Sequence, residues 1–148
     1  MIRYTVRAAR ECDVPRMCAL EKECFSSPWS AKAFEDTLAQ SGAGFFVCED
    51  DGGEILGYVG TLCVFDECSL LNVCVSTSHR KMGVGRALVT AAEENAKRLG
   101  ACSVFLEVRV SNENAISLYE KLGYDRITTR RGFYSKPRED AYVYKKEL

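Results

Sequence analysis

Two glycines one residue apart, Gly83 and Gly85, stand among the cations Arg80, Lys81 and Arg86 and open a long helical pattern. Glycine lets a backbone approach a ligand closely, and the first amides of a helix attract anions. A tight turn that needs two glycines does not account for three cations around it. Segment 80–88, RKMGVGRAL, therefore predicts a loop that binds the pyrophosphate of a long, linear cofactor.

Two common phosphate-binding motifs fit this loop poorly. A dinucleotide motif would have its acid about 20 residues on, where Glu107 stands, but its third glycine is replaced by Leu88. The preceding apolar run ends near Val75, and seven residues (76–82) separate it from the first glycine. Only one strand–helix–strand unit is predicted, whereas dinucleotide folds use two halves. A P-loop is excluded because no G-K-[ST] follows.

Glu107 interrupts an apolar strand pattern, VFLEVRV, in which it shares a face with Phe105 and Arg109. A carboxylate in such a place is costly unless it is paired or hydrogen-bonded. Two interpretations follow from the pattern alone. Glu107 is either the ion-pair partner of Arg109 or another cation, or it is a general base that takes a proton from a reacting group.

The elements that must position these residues alternate in type. The pattern predicts strands over 3–9, 45–50, 54–65, 69–75, 103–110, 124–130 and 140–148, and helices over 16–25, 31–40, 85–100 and 113–123. Strands 45–50 and 54–65 are expected to form a hairpin, and the apolar strand 69–75 to lie inside the sheet. The order predicts an α+β fold in which one strand–helix–strand unit joins two parallel strands.

Helix boundaries follow from capping residues. Asp13, followed by Pro15, is expected to cap the first helix, Ser30 the second and Asn112 or Ser111 the last, and Gly100 to close the third. The apolar stripe of the third helix is predicted to include Leu99, and that of the last helix Tyr119, which by default is a core residue.

Composition excludes several classes of protein. The chain has 148 residues, which predicts one domain over 1–148, and its 20 basic and 21 acidic residues give no basic surface for nucleic acid. Neither a membrane-spanning run nor a signal sequence is apparent, so we expect a cytoplasmic protein. The eight cysteines include no C-x-x-C pair and stand beside a single histidine, His79, so no metal site is predicted. Most, including Cys63, Cys74 and Cys102, are interpreted as small buried hydrophobes.

The loop also resembles a known family. RKMGVGRAL matches the R/Q-x-x-G-x-G/A signature of the GCN5-related N-acetyltransferases (GNAT), whose cosubstrate is acetyl-CoA. FSSPWS, LLNVCV, FLEVRVSNENAISLYEKLGY and RRGFYSKPREDAYVYKKEL extend the resemblance over nearly the whole chain. These segments are most similar to the bacterial branch that acetylates the N-terminal alanine of a ribosomal protein (the RimI type).

The resemblance implies a sheet of about seven mostly antiparallel strands flanked by about four helices, with a role for particular residues. Acetyl-CoA would contact the backbone of one strand, the glycine loop, and an asparagine that is also a candidate helix cap: Val73, Cys74, Val75, Arg80, Lys81, Met82, Gly83, Val84, Gly85, Arg86 and Asn112. Glu107 would be the catalytic base, and Tyr119 the acid that protonates the departing thiolate. Direct attack of the amine on the thioester needs no cysteine nucleophile.

On the acceptor side the resemblance implies a groove for the N-terminal segment of a protein, walled by Trp29 and Tyr134 together with Phe25 and Phe133. Hydrophobic anchoring is the alternative role of these aromatic side chains. Two other functions stay open. A GNAT enzyme for small amines would need an acidic pocket, for which segment 65–68, FDEC, is the one short candidate. A non-catalytic acyl-CoA-binding module would be expected to lack the base or the acid.

Overall fold

Seven strands and four helices make up the computed structural model, which describes residues 3–25 and 28–148. The strands are β1 (Tyr4–Ala8), β2 (Ala43–Asp50), β3 (Ile55–Val64), β4 (Glu67–Val75), β5 (Ser103–Arg109), β6 (Asp125–Ser135) and β7 (Arg138–Glu147). The helices are α1 (Val14–Cys24), α2 (Ala31–Leu38), α3 (Val84–Arg98) and α4 (Glu113–Lys121). Ser26 and Ser27, in the predicted loop between α1 and α2, lie outside the described residues, as do residues 1 and 2.

All seven strands belong to one sheet in the order β1-β2-β3-β4-β5-β7-β6. Every neighbouring pair is antiparallel except β4 and β5, which are parallel and are joined through α3. The predicted α+β class, the hairpin β2–β3, the interior position of β4 and the strand–helix–strand unit are all confirmed. No helix in the described part of the chain is long and apolar enough to cross a membrane.

The two parallel strands separate soon after they meet. β4 and β5 pair only at Glu67↔Ser103, Cys68↔Val104 and Ser69↔Phe105. Beyond that point β4 continues alone against β3, and β5 alone against β7. The register of β3 and β4 shifts at the same level, where Gly60 opposes Asn72 and Thr61 opposes Leu70. The extra residue on β4 bends the strand there, so the middle of the sheet opens.

A separate hydrophobic core covers each face of the sheet. The larger core contains the inner face of α3, Tyr119 of α4 and alternate residues of β5, such as Leu106 and Val108. The smaller core contains α1, α2 and residues of β2 and β3. Leu70 packs into the first core and Cys74 into the second, because the extra residue on β4 reverses the alternation of its side chains.

Three local predictions are wrong. Leu99 is half-exposed, at 50%, because α3 has ended at Arg98 and the helical stripe does not continue to it. Asp13 precedes α1, but its carboxylate makes no capping bond, since it accepts hydrogen bonds from the Arg7 guanidinium and the Arg10 N–H instead. Cys102 is exposed, because it lies in the loop before β5. Ser30 and Asn112 do cap α2 and α4, accepting from the N–H groups of Ala33 and Ala115.

Candidate active site

The opening between β4 and β5 forms a cleft of about 500 Å³. Its walls come from the separated halves of the two strands, the end of α1, the start of α4 and the turn between β6 and β7. The residues that line it include Glu21, Cys24, Phe25, Trp29, Leu70, Leu71, Asn72, Val73, Leu106, Glu107, Val108, Arg109, Ser111, Asn112, Ala115, Tyr119, Tyr134, Pro137 and Glu139. The predicted catalytic pair, Glu107 and Tyr119, therefore shares one cleft with both predicted acceptor residues, Trp29 and Tyr134.

The glycine loop ends at the N-terminus of α3, where Gly83 has a positive φ of 82°. The first amides of the helix, at Val84, Gly85 and Arg86, have no acceptor within the helix, so they are available to an anion. A hydrogen bond joins the loop to β1, because the Tyr4 hydroxyl donates to the Met82 carbonyl at 3.1 Å. Arg80, Lys81 and Arg86 are exposed, and none of them forms an ion pair with a described acidic residue.

Gly85 serves close packing as well as the loop. A Cβ atom placed there would lie 3.1 Å from a Leu118 methyl group of α4 and 3.7 Å from one of Val75. Only glycine lets α3 approach α4 and β4 this closely without displacing Leu118. A side chain at position 85 would therefore press against Leu118 of α4.

Predicted cofactor residues on β4 offer their backbone. Val73, Cys74 and Val75 pair with β3 along one edge, and the other edge is free of β5 at this level. A free strand edge can pair with the amide groups of an extended ligand. The Cys74 side chain points away, since its thiol donates to the Leu20 carbonyl at 3.2 Å. Hydrogen bonding with Cys24 and burial raise the pKa of Cys74, which keeps this thiol protonated and a poor nucleophile.

Glu107 lies on the sheet face opposite α3, since its neighbours Leu106 and Val108 fill the core under that helix. Its side chain is 33% exposed and its carboxylate lies 3.9 Å from the Arg130 guanidinium, a loose contact. The ion pair with Arg109 that the pattern allowed is not formed, because Arg109 binds Glu139 at 3.1 Å. The Glu107 carboxylate therefore forms no close ion pair with a described cation.

Tyr119 reaches the cleft from the other face. It is 6% exposed and packs edge-on against Tyr124, with ring centroids 5.9 Å apart, so its default role as a core residue is confirmed. Burial raises the pKa of its phenol, which is therefore protonated at neutral pH. The same side chain also lines the cleft. Asn112 at the start of α4 caps the helix and lines the cleft as well.

The β6–β7 turn is tied to the end of β5 by Arg109. The guanidinium donates to the Pro137 carbonyl and the Glu139 carboxylate, and its centre lies 4.3 Å from the ring centroid of Tyr134. Hydrogen bonding from Ser111, with a further contribution from Arg109, holds the pKa of Glu139 below its ordinary value. These contacts fix Tyr134 at the mouth of the cleft, where burial and then the charge of Glu107 raise the pKa of its hydroxyl.

The opposite wall is aromatic. The Trp29 ring packs against Phe34 and Phe45, with ring centroids 5.3 Å and 6.4 Å away, so Trp29 is a hydrophobic anchor. The same residue also lines the cleft. Phe133, beside Tyr134 on β6, packs edge-on against that ring at 5.0 Å and is half-exposed, but it does not line the cleft as predicted.

The chain is similar to known proteins over most of its length. The model of the acetyltransferase (GNAT) family matches residues 14–124. The chain belongs to the GNAT family. It is 32% identical over 141 residues to the [ribosomal protein bS18]-alanine N-acetyltransferase of Escherichia coli K12, covering 94% of each chain. The crystal structure of the ribosomal-protein-S18-alanine N-acetyltransferase from E. coli superposes with a TM-score of 0.89 at 30% identity, covering 99% of this chain and 94% of that one.

A more distant structure, Arabidopsis thaliana NAA60 in complex with acetyl-CoA, superposes with a TM-score of 0.89 at 19% identity, over 99% of this chain and all of that one. At that identity the likeness concerns the fold alone. The seven-stranded, mostly antiparallel sheet with four helices is thus the GNAT fold that the resemblance implied.

Of the acidic groups in this GNAT cleft, the sequence suggested Glu107 but neither Glu21 nor Glu139. Segment 65–68 comprises the turn between β3 and β4 and the first two residues of β4, and it does not line the cleft. Glu21, Glu107 and Glu139 line it instead. Sequence reasoning missed Glu21 and Asn72. The available signals were the position of Glu21 on the buried stripe of α1 with Met17, and an asparagine inside an apolar strand.

Proposed function

We propose that this GNAT enzyme transfers the acetyl group of acetyl-CoA to the N-terminal α-amine of a protein, and that the acceptor is the N-terminal alanine of a small-subunit ribosomal protein. The observation that carries this proposal is the cleft itself. One opening in the sheet combines the free backbone edge of β4 with Glu107 on one face and Tyr119 on the other, and β4 leads through the glycine loop to the start of α3, whose free amides can bind an anion. The relative from E. coli, which covers 94% of this chain, supports the choice of acceptor.

The cleft residues fit acetyl-CoA as a cosubstrate. The amides of residues 81–86, at and before the start of α3, would bind the pyrophosphate, and the exposed Arg80, Lys81 and Arg86 add positive charge for it. The free edge of β4 at Val73–Val75 supplies hydrogen-bonding groups for the amides of the pantetheine arm. Asn112 also lines the cleft.

Glu107 acts as the general base in this proposal. A protonated amine has no lone pair with which to attack a thioester, so a proton must leave first. An α-ammonium, with a pKa of about 8, loses it more easily than a lysine side chain, at about 10.4. Glu107 is suited to accept that proton because its carboxylate is part-exposed in the cleft and only loosely held by Arg130. Proton transfer to Glu107 Oε1 or Oε2 leaves the neutral amine to attack.

Tyr119 acts as the general acid. When the C–S bond breaks, the coenzyme A thiolate leaves and needs a proton. The raised pKa of Tyr119 keeps its phenol protonated, and the hydroxyl makes no hydrogen bond with another described residue that would occupy it. Because acid and base lie on opposite faces of the cleft, the acceptor and the leaving group occupy separate sides of it.

One panel of acceptors tests the proposed function. The purified protein with acetyl-CoA is offered an N-terminal alanine peptide, the same peptide with a blocked N-terminus, and a polyamine. We expect coenzyme A to be released with the peptide whose N-terminus is free, and not with the blocked peptide or the polyamine. Release that requires the polyamine would instead assign the enzyme to small amines.

A further inference from the structure

Glu21 is a buried carboxylate with no cation. It is 1% exposed, and its two oxygens accept hydrogen bonds from the Trp29 N–H at 2.8 Å, from Asn72 Nδ2 at 2.5 Å and from the Tyr58 hydroxyl. All three donors are neutral. No lysine or arginine within 3–25 and 28–148 forms an ion pair with Glu21. Three neutral donors therefore stabilise its charge, but no described cation neutralises it, and an unpaired buried carboxylate is costly in free energy.

The hydrogen bond to Glu21 fixes the orientation of the Asn72 amide. A carboxylate only accepts hydrogen bonds, so the amide nitrogen must face it and the amide oxygen must point elsewhere. That oxygen, Asn72 Oδ1, is buried and receives no hydrogen bond from any described residue. A buried carbonyl oxygen without a donor is rare in folded proteins and calls for an explanation.

Both side chains line the cleft from the acceptor side. Asn72 lies on the face of β4 that packs against α1, as its bond to Glu21 shows, and this is the sheet face that carries Glu107. Glu21 also holds the backbone of Trp29, on the aromatic wall. On the acceptor side of the cleft, therefore, no described cation neutralises Glu21 and no described donor binds Asn72 Oδ1.

We propose that Glu21 and Asn72 form a binding site for the ammonium group of the acceptor, in which Asn72 Oδ1 accepts a hydrogen bond from the ammonium and Glu21 supplies the opposing charge and orients Asn72. A primary ammonium provides both the missing cation and the missing donor. The inference rests on the proposed function only in taking the acceptor to be a primary amine. Asn72 is a substrate-binding residue here, and Glu21 is a positioning residue that acts through it. Glu107 then removes the proton from the ammonium held at this site.

Three variants separate ammonium binding from structural support. Asn72→Leu removes Oδ1 at similar volume, and Glu21→Gln removes the charge at nearly constant shape. Tyr58→Phe is the matched control, because it deletes one donor to Glu21 and a 3.4 Å acceptor of Asn72 Nδ2 while leaving both the charge and Asn72 Oδ1 in place, and Tyr58 is not among the residues that line the cleft.

Steady-state acetylation of an N-terminal alanine peptide is measured for each folded variant. Loss of a hydrogen bond to a charged group should raise the KM for the peptide about tenfold to a hundredfold in Asn72→Leu and Glu21→Gln. The KM for acetyl-CoA should stay unchanged, and Tyr58→Phe should lower only the melting temperature. Calorimetry with coenzyme A present should show that wild type prefers this peptide over its analogue with a hydroxyl in place of the α-amine, and that both variants lose the preference.

Two results would overturn the inference: an unchanged peptide KM in a folded Asn72→Leu protein, or an equal rise in Tyr58→Phe, which would make the network a structural support only. If wild type acetylates a polyamine and no peptide, the proposed function fails while this inference stays testable, since the same variants are then measured with that amine.

Discussion

Replacing Glu107 by glutamine removes the basic oxygen and preserves the shape of the side chain. General base catalysis contributes about 10²–10⁴-fold, or roughly 3–5 kcal/mol of barrier. The structural contribution is much smaller. The only ion pair of Glu107 within the described residues is the 3.9 Å contact with Arg130, and both side chains are partly exposed, at 33% and 57%. Such a pair stabilises the fold by about 1 kcal/mol or less. We therefore expect a loss of turnover of at least a hundredfold with a small change in stability.

Turnover is assayed at several pH values beside a thermal melt, with Arg130→Gln as the matched control. Arg130→Gln breaks the same ion pair from the other side, so it should retain turnover, and a loss of 1 kcal/mol should lower the melting temperature of either variant by only about 2–4 °C. Raising the pH toward 9 should partly restore turnover in Glu107→Gln, since more of the α-amine is then neutral. Near-normal turnover in Glu107→Gln, with equal destabilisation in both variants, would refute the role of base.

The other predictions concern the acid, the loop and stability. Tyr119→Phe should lower turnover with no rescue at high pH and little change in the melting temperature, because the hydroxyl makes no hydrogen bond within the described residues; recovery at pH 9 would count against an acid. Gly85→Asp should abolish acetyl-CoA binding in calorimetry, and Gly85→Ala should weaken it less while both lower stability, because a Cβ meets Leu118. Asp13→Asn should cost about 1–2 kcal/mol at pH 7. Hydrogen bonding from Arg7 lowers the pKa of Asp13 in the folded protein, so this difference should hold above the unfolded pKa of about 3.9 and shrink as pH falls from there through the folded value; in urea unfolding, a gap that does not narrow as the pH is lowered below about 3.9 would contradict it.

Strong local periodicity made most of the fold predictable. The apolar run of β4 and the stripe of α3 indicated an interior strand and a crossover helix, and both are present. The separation of β4 from β5 could not be predicted, because it depends on an extra residue at Leu71 that only the pairing with β3 reveals. Leu99 was assigned to the core because its spacing continues the stripe, although the helix ends before it.

The site was predictable where a residue broke a pattern. Glu107 stood out because it interrupts an apolar strand, and the glycine loop because of its cations. The partner of Glu107 was not predictable, because Arg130 comes from β6, which pairs with β5 only through β7. The Glu21–Asn72 contact joins residues 51 positions apart, and its consequence, an oxygen without a donor, exists only in the folded chain.

The most direct measurement uses a single peptide with an N-terminal alanine and one internal lysine. The peptide is incubated with the protein and acetyl-CoA at neutral pH, and tandem mass spectrometry locates the acetyl group. The account predicts acetylation of the α-amine, with the lysine unmodified and no product from Glu107→Gln at the same time point. Acetyl on the lysine side chain, or equal product from Glu107→Gln, would contradict it.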